Sequence, residues 1–167
     1  KKTILISDAV KSMPAREIVD SLIFIPIENN PSCVIGSIDK IIFKDSLLFL
    51  GDLEMANQIN IVTFEGKYIA TAGNFGNGPG EYKDLYDFDI LGDTMYLLSA
   101  NKILKYSING NFLDEERIAF YPERFMVPNS EDYVFYNSNT PLDGKNNYCI
   151  SILSRNHSIK ERLMPFN

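Results

Sequence analysis

Gly76-Asn77-Gly78-Pro79-Gly80-Glu81-Tyr82 is the stretch whose reading decides the fold. Glycine reaches backbone conformations closed to other residues, and proline stiffens a turn, so this run describes a tight chain reversal. The text from Gly73 to Gly80 also has the look of a glycine-rich phosphate loop. Such a loop needs a strand before it and a helix after it, so that the helix N-terminus faces the anion. Here Glu81-Tyr82-Lys83-Asp84 leads into another β-type run. The segment is a connection between two β units, not an anion cradle.

The units on either side of it repeat. Before it come Ser46-Leu47-Leu48-Phe49-Leu50, then Gln58 to Phe64, then Glu65-Gly66-Lys67-Tyr68-Ile69. After it come Thr94-Met95-Tyr96-Leu97-Leu98, then Lys102 to Ile108, then Asn109-Gly110-Asn111-Phe112-Leu113. Gly66 and Gly110 hold equivalent places, and Glu65-Gly66 and Asn109-Gly110 predict two-residue hairpin turns. A third, looser copy runs through Arg124 to Val127, Asp132 to Tyr136, Cys149 to Leu153 and Ile159 to Leu163, with Asn156-His157-Ser158 at the turn. Asn137 to Asn147 reads as an expanded polar loop. Repeats of about 40–50 residues with four short strands each are the signature of propeller blades. The predicted fold is all-β: a β-propeller segment of about three four-stranded blades over 38–73, 86–118 and 124–164. Ahead of them, residues 1–37 form an N-terminal segment, in which Ser12 to Val19 predicts no more than a helical turn begun at Pro14. Pro26 makes Ser21 to Ile27 an edge strand or one that ends at a bulge, because proline has no N–H for a ladder.

Composition bounds the function. The chain has 167 residues, 45% apolar and 23% charged, with 9 Tyr and 11 Phe. That is a globular chain able to bury a sizeable core. A net charge of −6 with scattered basic residues does not offer the phosphate-neutralising surface of a nucleic-acid partner. No apolar run is long enough for a membrane span. A chain that begins at Lys1 reads as processed or excised, with any signal peptide outside it. Cys33 and Cys149 have no metal-like spacing and read as two free thiols, or as a disulfide if the fold brings them together.

No catalytic constellation stands out, and no cofactor is called for. The single histidine, His157, falls in a turn, so no Ser or Cys nucleophile has a base partner. Glu81, Asp84, Asp87 and Asp89 cluster. Asp87 and Asp89, two apart on a strand, share one face; they read as channel-lining acids, or alternatively as the carboxylates of a carbohydrate-active enzyme. In a propeller, the blade-to-blade connection and the loop between second and third strands share one rim. That groups Phe75, Asn77, Glu81, Tyr82, Tyr86, Asp87 and Asn101 as candidate binding residues, with Glu54 and Asn57 beside them. Aromatics next to amides and acids can stack on a sugar or grip a peptide, and equally can pack blades together.

Gly73 to Phe112 resembles an NHL-type blade, and more closely the six-bladed β-propeller proteins of Bacteroidetes cell envelopes. The matching parts are Gly76 to Tyr82, Tyr86 to Ile90, Met95 to Leu98, Asn101 to Tyr106 and Asn109 to Phe112. Val19 to Glu28, followed by Ile35-Gly36-Ser37-Ile38, is similar to the start of those proteins. Asp52 matches the aspartate that ends the second NHL strand, whereas Ser99 replaces it in the next blade. NHL lyases use metal-binding histidines, which a chain with His157 alone does not provide. The resemblance implies a non-catalytic binding or scaffolding module in the periplasm or at the cell surface, lipid-anchored in its precursor. It also implies that the 21–27 strand closes the ring of a six-bladed propeller. Three blades leave two open faces, so either a longer chain or a homodimer completes the ring.

Overall fold

The structure, a computed structural model, describes residues 14–138 and 148–165. Three antiparallel four-stranded sheets follow one another along the chain. Blade 1 holds β1 (Lys40–Lys44), β2 (Leu47–Asp52), β3 (Gln58–Thr63) and β4 (Tyr68–Ala72). A connection carrying the two-residue strands β5 (Asn74–Phe75) and β6 (Glu81–Tyr82), paired parallel, leads onward. Blade 2 holds β7 (Asp87–Leu91), β8 (Thr94–Ser99), β9 (Lys102–Ser107) and β10 (Phe112–Arg117). Blade 3 holds β11 (Arg124–Met126), β12 (Asp132–Tyr136), β13 (Tyr148–Ser154) and β14 (Ile159–Pro165). The helical turn is a 3-10 turn over Ala15–Glu17, and Ser12 and Met13 lie outside the described residues. So does most of the expanded loop, from 139 to 147.

The third-to-fourth-strand turn is built alike in all three blades. Gly66, Gly110 and His157 donate their N–H to the carbonyls of Thr63, Ser107 and Ser154, and all three have positive φ, at 84°, 83° and 64°. The flanking N–H of Thr63, Ser107 and Ser154 reaches the carbonyl of Lys67, Asn111 and Ser158. The loop therefore has three residues ending in a left-handed one, not the two expected from sequence. A register shift follows in each outer hairpin, at Ile61/Val62, Phe112/Asp114 and Ile152/Leu153.

Each blade buries its faces against its neighbours. Phe49, Ile59, Ile61 and Ala72 of blade 1 meet Leu85, Phe88 and Met95 in one core. Leu98 and Ile103 of blade 2 meet Phe125, Tyr133 and Phe135 of blade 3 in a second. Burying one such side chain is worth about 1.5–3 kcal/mol, so the blades are held mainly by these two layers. Nearest the axis, Asp87 is 3% exposed and touches every blade. It takes Lys40 Nζ of blade 1 at 2.8 Å and the N–H of Phe125 of blade 3 at 3.0 Å. Asp89 takes the N–H of Val127 at 2.7 Å. The two acids do share a face, and that face is the joint to blade 3.

The N-terminal segment departs from expectation. Ser21 to Ile27 lies in no strand, and Leu22 and Phe24 are 79% and 90% exposed. Pro26 brings no N–H, and no described strand lies alongside to pair with. The chain meets blade 1 at its outer turn, where Ile25 and Pro26 lie against Gly66 and the N–H of Glu28 reaches the carbonyl of Gly66 at 2.8 Å. It then crosses the outer half of blade 1's open face, where the Asn60 amide donates to Val34 O and the Thr71 hydroxyl to Ser32 O. Cys33 and Cys149 are both free and half-buried; burial, then the charge of Glu28, raises the Cys33 thiol pKa.

Asp52 fastens this strap. Its carboxylate, 1% exposed, accepts the N–H groups of Gly36, Ser37, Met55 and Ala56 at 2.6–3.0 Å. Desolvation pushes its pKa up, but the four N–H groups outweigh that and hold it below the usual carboxylate value. A lowered folded pKa gives stability that is complete above the unfolded value, about 3.9, and is lost as pH falls through the folded one. Asp52→Asn is expected to cost about 1–3 kcal/mol at pH 7. Urea melts at pH 7 and at pH 3 should show that deficit shrinking in acid.

Candidate functional site

The connection from β4 to β7 places the candidate residues, and its own chemistry explains why its sequence is so rich in glycine. The N–H of Gly76 donates to Tyr82 O, and the N–H of Glu81 to Gly78 O. The Glu81 carboxylate folds back onto the turn and accepts Gly78 N–H at 2.7 Å. A Cβ at Gly76 would lie 2.0 Å from that carboxylate, so the turn has room for its own acid only if position 76 is glycine. Tyr82 is 2% exposed and donates to Ala72 O at 3.2 Å; Tyr106 donates to Gly80 O. Burial raises the Tyr82 phenol, with a smaller push from Tyr106. Burial also lifts Tyr106 to about 12, helped by the charges of Glu115 and Glu81. Both phenols stay protonated at neutral pH and donate, pinning the connection to blades 1 and 2.

The structure does not bring all seven predicted residues to one place, but it gathers four of them, Asn77, Glu81, Tyr82 and Asn101, around one hollow. Glu81, Tyr82 and Asp87 also serve the fold: the first closes its turn, the second packs under it, the third joins the blades. Phe75, Asn77, Glu81, Tyr82, Tyr86 and Asn101 line three hollows, two of which share Tyr82. Phe75, 77% exposed, stands over a hollow of about 410 Å³ with Ser32, Asn57, Gln58, Tyr68 and Thr71. Asn77, Glu81, Tyr82 and Asn101 share one of about 230 Å³ with Asp84, Lys102 and Arg117. Tyr86 lines the third, about 460 Å³, with Tyr121, Arg124 and Tyr136. Asn57 spends its side-chain oxygen on Leu85 N–H at 3.1 Å, and the Asn101 amide reaches Ile118 O at 3.4 Å.

Sequence reading missed Tyr68, Gln58 and Ser32 beside Phe75. Ser32 arrives with the N-terminal strap, a placement no strand periodicity signals. It also missed Arg124, whose place becomes visible only when β1, β7 and β11 are aligned: Lys40, Asp87 and Arg124 are the first residues of the three inner strands. Among the described residues no group of three or more His, Cys, Asp or Glu side chains is arranged to hold a metal, and no helix is long and apolar enough to cross a membrane.

Three consecutive four-stranded sheets stacked face to face, inner strands together, define a β-propeller segment. Solved structures agree. A Bacteroides fragilis protein described as exported matches with a TM-score of 0.80 at 19% identity, over 88% of this chain and 43% of that one. The WD40 domain of Neurospora crassa Pan2 matches with a TM-score of 0.53 at 14% identity, over 77% of this chain and 37% of that one. At these identities the likeness is one of fold, and the chain spans less than half the length of either. No curated protein sequence matches it significantly. The chain belongs to DUF4934, a domain family of unknown function, whose model matches residues 1–167.

Gly73, where the connection leaves β4, has φ +77°, and a Cβ there would lie 2.3 Å from the Tyr82 ring. Gly73→Ala is expected to lose about 2–3 kcal/mol from backbone strain and overpacking together. Asn77→Ala, on the exposed tip of the same connection, should stay within about 0.5 kcal/mol of wild type. Chemical denaturation of the two variants side by side checks the pair.

Proposed function

We propose that this chain is the non-catalytic binding part of an extracytoplasmic propeller, and that it takes its ligand at the hollow under Phe75. The observation that carries this reading is an aromatic ring 77% exposed beside a polar hollow of about 410 Å³ lined by amides and hydroxyls. Flat apolar surface next to a few oriented polar groups suits a sugar ring or a short peptide. Unlike the hollow at Tyr86, it lies away from the open face of blade 3 and is walled by blade 1, the connection and the strap. The likeness to a Bacteroides fragilis protein described as exported supports the extracytoplasmic place. A periplasmic or surface position, a six-bladed ring and a lipid anchor belong to the same reading.

The non-catalytic part rests on how the clustered carboxylates are used. Glu81 is held by Gly78 N–H. Asp87 is held by Lys40 and by the N–H groups of Phe88 and Phe125. Asp89 is held by the N–H groups of Ile90 and Val127. Asp84 lines a hollow with Glu81, but Glu81 is turned back onto its own turn, and Asp87 and Asp89 are spent on the joint to blade 3, which is not the arrangement of a glycosidase pair. A thermal-shift screen of envelope glycans and short peptides tests the proposal. Ligands should raise the wild-type Tm, and Phe75→Ala should abolish that shift while leaving the unliganded Tm unchanged. Equal shifts in both proteins would move the site elsewhere. Turnover of any hit, lost in a folded Asp87→Asn/Asp89→Asn variant, would replace binding with catalysis.

A further inference from the structure

The inner strands carry a charge pattern that reaches past blade 3. Position one is Lys40 in β1, Asp87 in β7 and Arg124 in β11; position three is Ile42, Asp89 and Met126. A cationic strand is thus followed by an acid-x-acid strand and then by a cationic one. The first joint is a charge pair, and at the second the acids meet backbone N–H groups. Lys40 reaches forward to Asp87 at 2.8 Å, and Asp87 and Asp89 reach forward to the N–H groups of Phe125 and Val127.

Arg124 holds the forward-reaching place in blade 3. Phe125, Tyr133 and Phe135 fill the core shared with blade 2, so strand alternation turns Arg124, Met126 and Tyr136 to the opposite, open face. Met126 and Tyr136 are 50% and 41% exposed there. Arg124 donates one guanidinium nitrogen, Nη1, to the carbonyls of Tyr86 and Glu123 at 2.9 and 2.8 Å. Among the described residues no carboxylate lies within salt-bridge distance of it. Beside it is the hollow of about 460 Å³ between Tyr86, Tyr121 and Tyr136.

We infer that the open face of blade 3 receives a further propeller blade whose inner strand begins with Asp or Glu, the carboxylate pairing with Arg124 as Asp87 pairs with Lys40. The chain covers 43% of the similar Bacteroides fragilis structure, which leaves room for such blades in a whole protein of that kind. The occupant is not a second copy of this chain. Head-to-tail closure would set Arg124 of one copy against Lys40 of the next, two cations brought together at one joint. Alternation of cationic and acidic inner strands also closes without a mismatch only when the number of blades is even.

The test uses the full-length protein. Its next inner strand should open with Asp or Glu, and Arg124→Glu should lower Tm by several degrees. Reversing the facing acid to Arg in the same protein should restore most of the loss, and Arg124→Lys should retain most of the wild-type Tm from the start. Light scattering of the 167-residue chain should find no ring of two copies, and Arg124→Asp, now complementary to Lys40, should promote one. A basic or neutral residue at the facing position, an Arg124→Glu variant with unchanged Tm, or a wild-type dimer weakened by Arg124→Asp would each overturn the inference.

Discussion

Asp87 is a charge in a place where a charge is costly, and the rest of the assembly follows from how that cost is met. It is almost wholly buried next to the axis, and an unpaired carboxylate there would destabilise the fold by several kcal/mol. The fold compensates from both sides, with the ammonium of Lys40 from blade 1 and a backbone N–H from blade 3. Lys40 also lies 5.4 Å from the centre of the Phe88 ring, so the same cation serves the joint twice. Blades held by apolar contact alone can slide, because hydrophobic burial is non-directional. A carboxylate bonded at once to a neighbour's side chain and another neighbour's backbone fixes their relative height, and with it which loops share a rim.

Much of this is legible in the sequence for a local reason. The repeat announces itself through turns, and turns are decided by a few adjacent residues. Gly66 and Gly110 mark equivalent hairpins because a left-handed residue is needed there, and His157 occupies the third without being glycine. The alternation of apolar residues around Phe49, Leu97 and Phe135 likewise reports the buried faces. The loop length is not legible in the same way, because the two-residue text Glu65-Gly66 hides a third loop residue, Phe64, whose N–H is already bonded across to Ser46.

The candidate site is less legible, because its residues are assigned by contacts between distant segments. Glu81 and Tyr82 look like rim groups in one dimension. One is instead aimed back at Gly78, and the other lies under Gly73, where the absence of a Cβ makes room. Phe75 has the surroundings of a binding ring only because the strap brings Ser32 beside it. The segment from Ser21 to Ile27 reads as a strand by composition, yet a strand is a relation between two chains of hydrogen-bonding groups, and among the described residues none pairs with it.

The strap also has a mechanical side. Glu28, Ser32, Val34, Gly36 and Ser37 are attached in sequence to Gly66, Thr71, Asn60 and Asp52. A pull on the N-terminal side of the chain would load these bonds one after another, outermost first, as when tape is lifted from one end. Peeling of this kind needs far less force than shearing a whole sheet at once, and it stops at Asp52, where several bonds share the load. Tension entering from that side would uncover the outer half of blade 1 and dismantle the wall under Phe75 before it disturbed any core between blades.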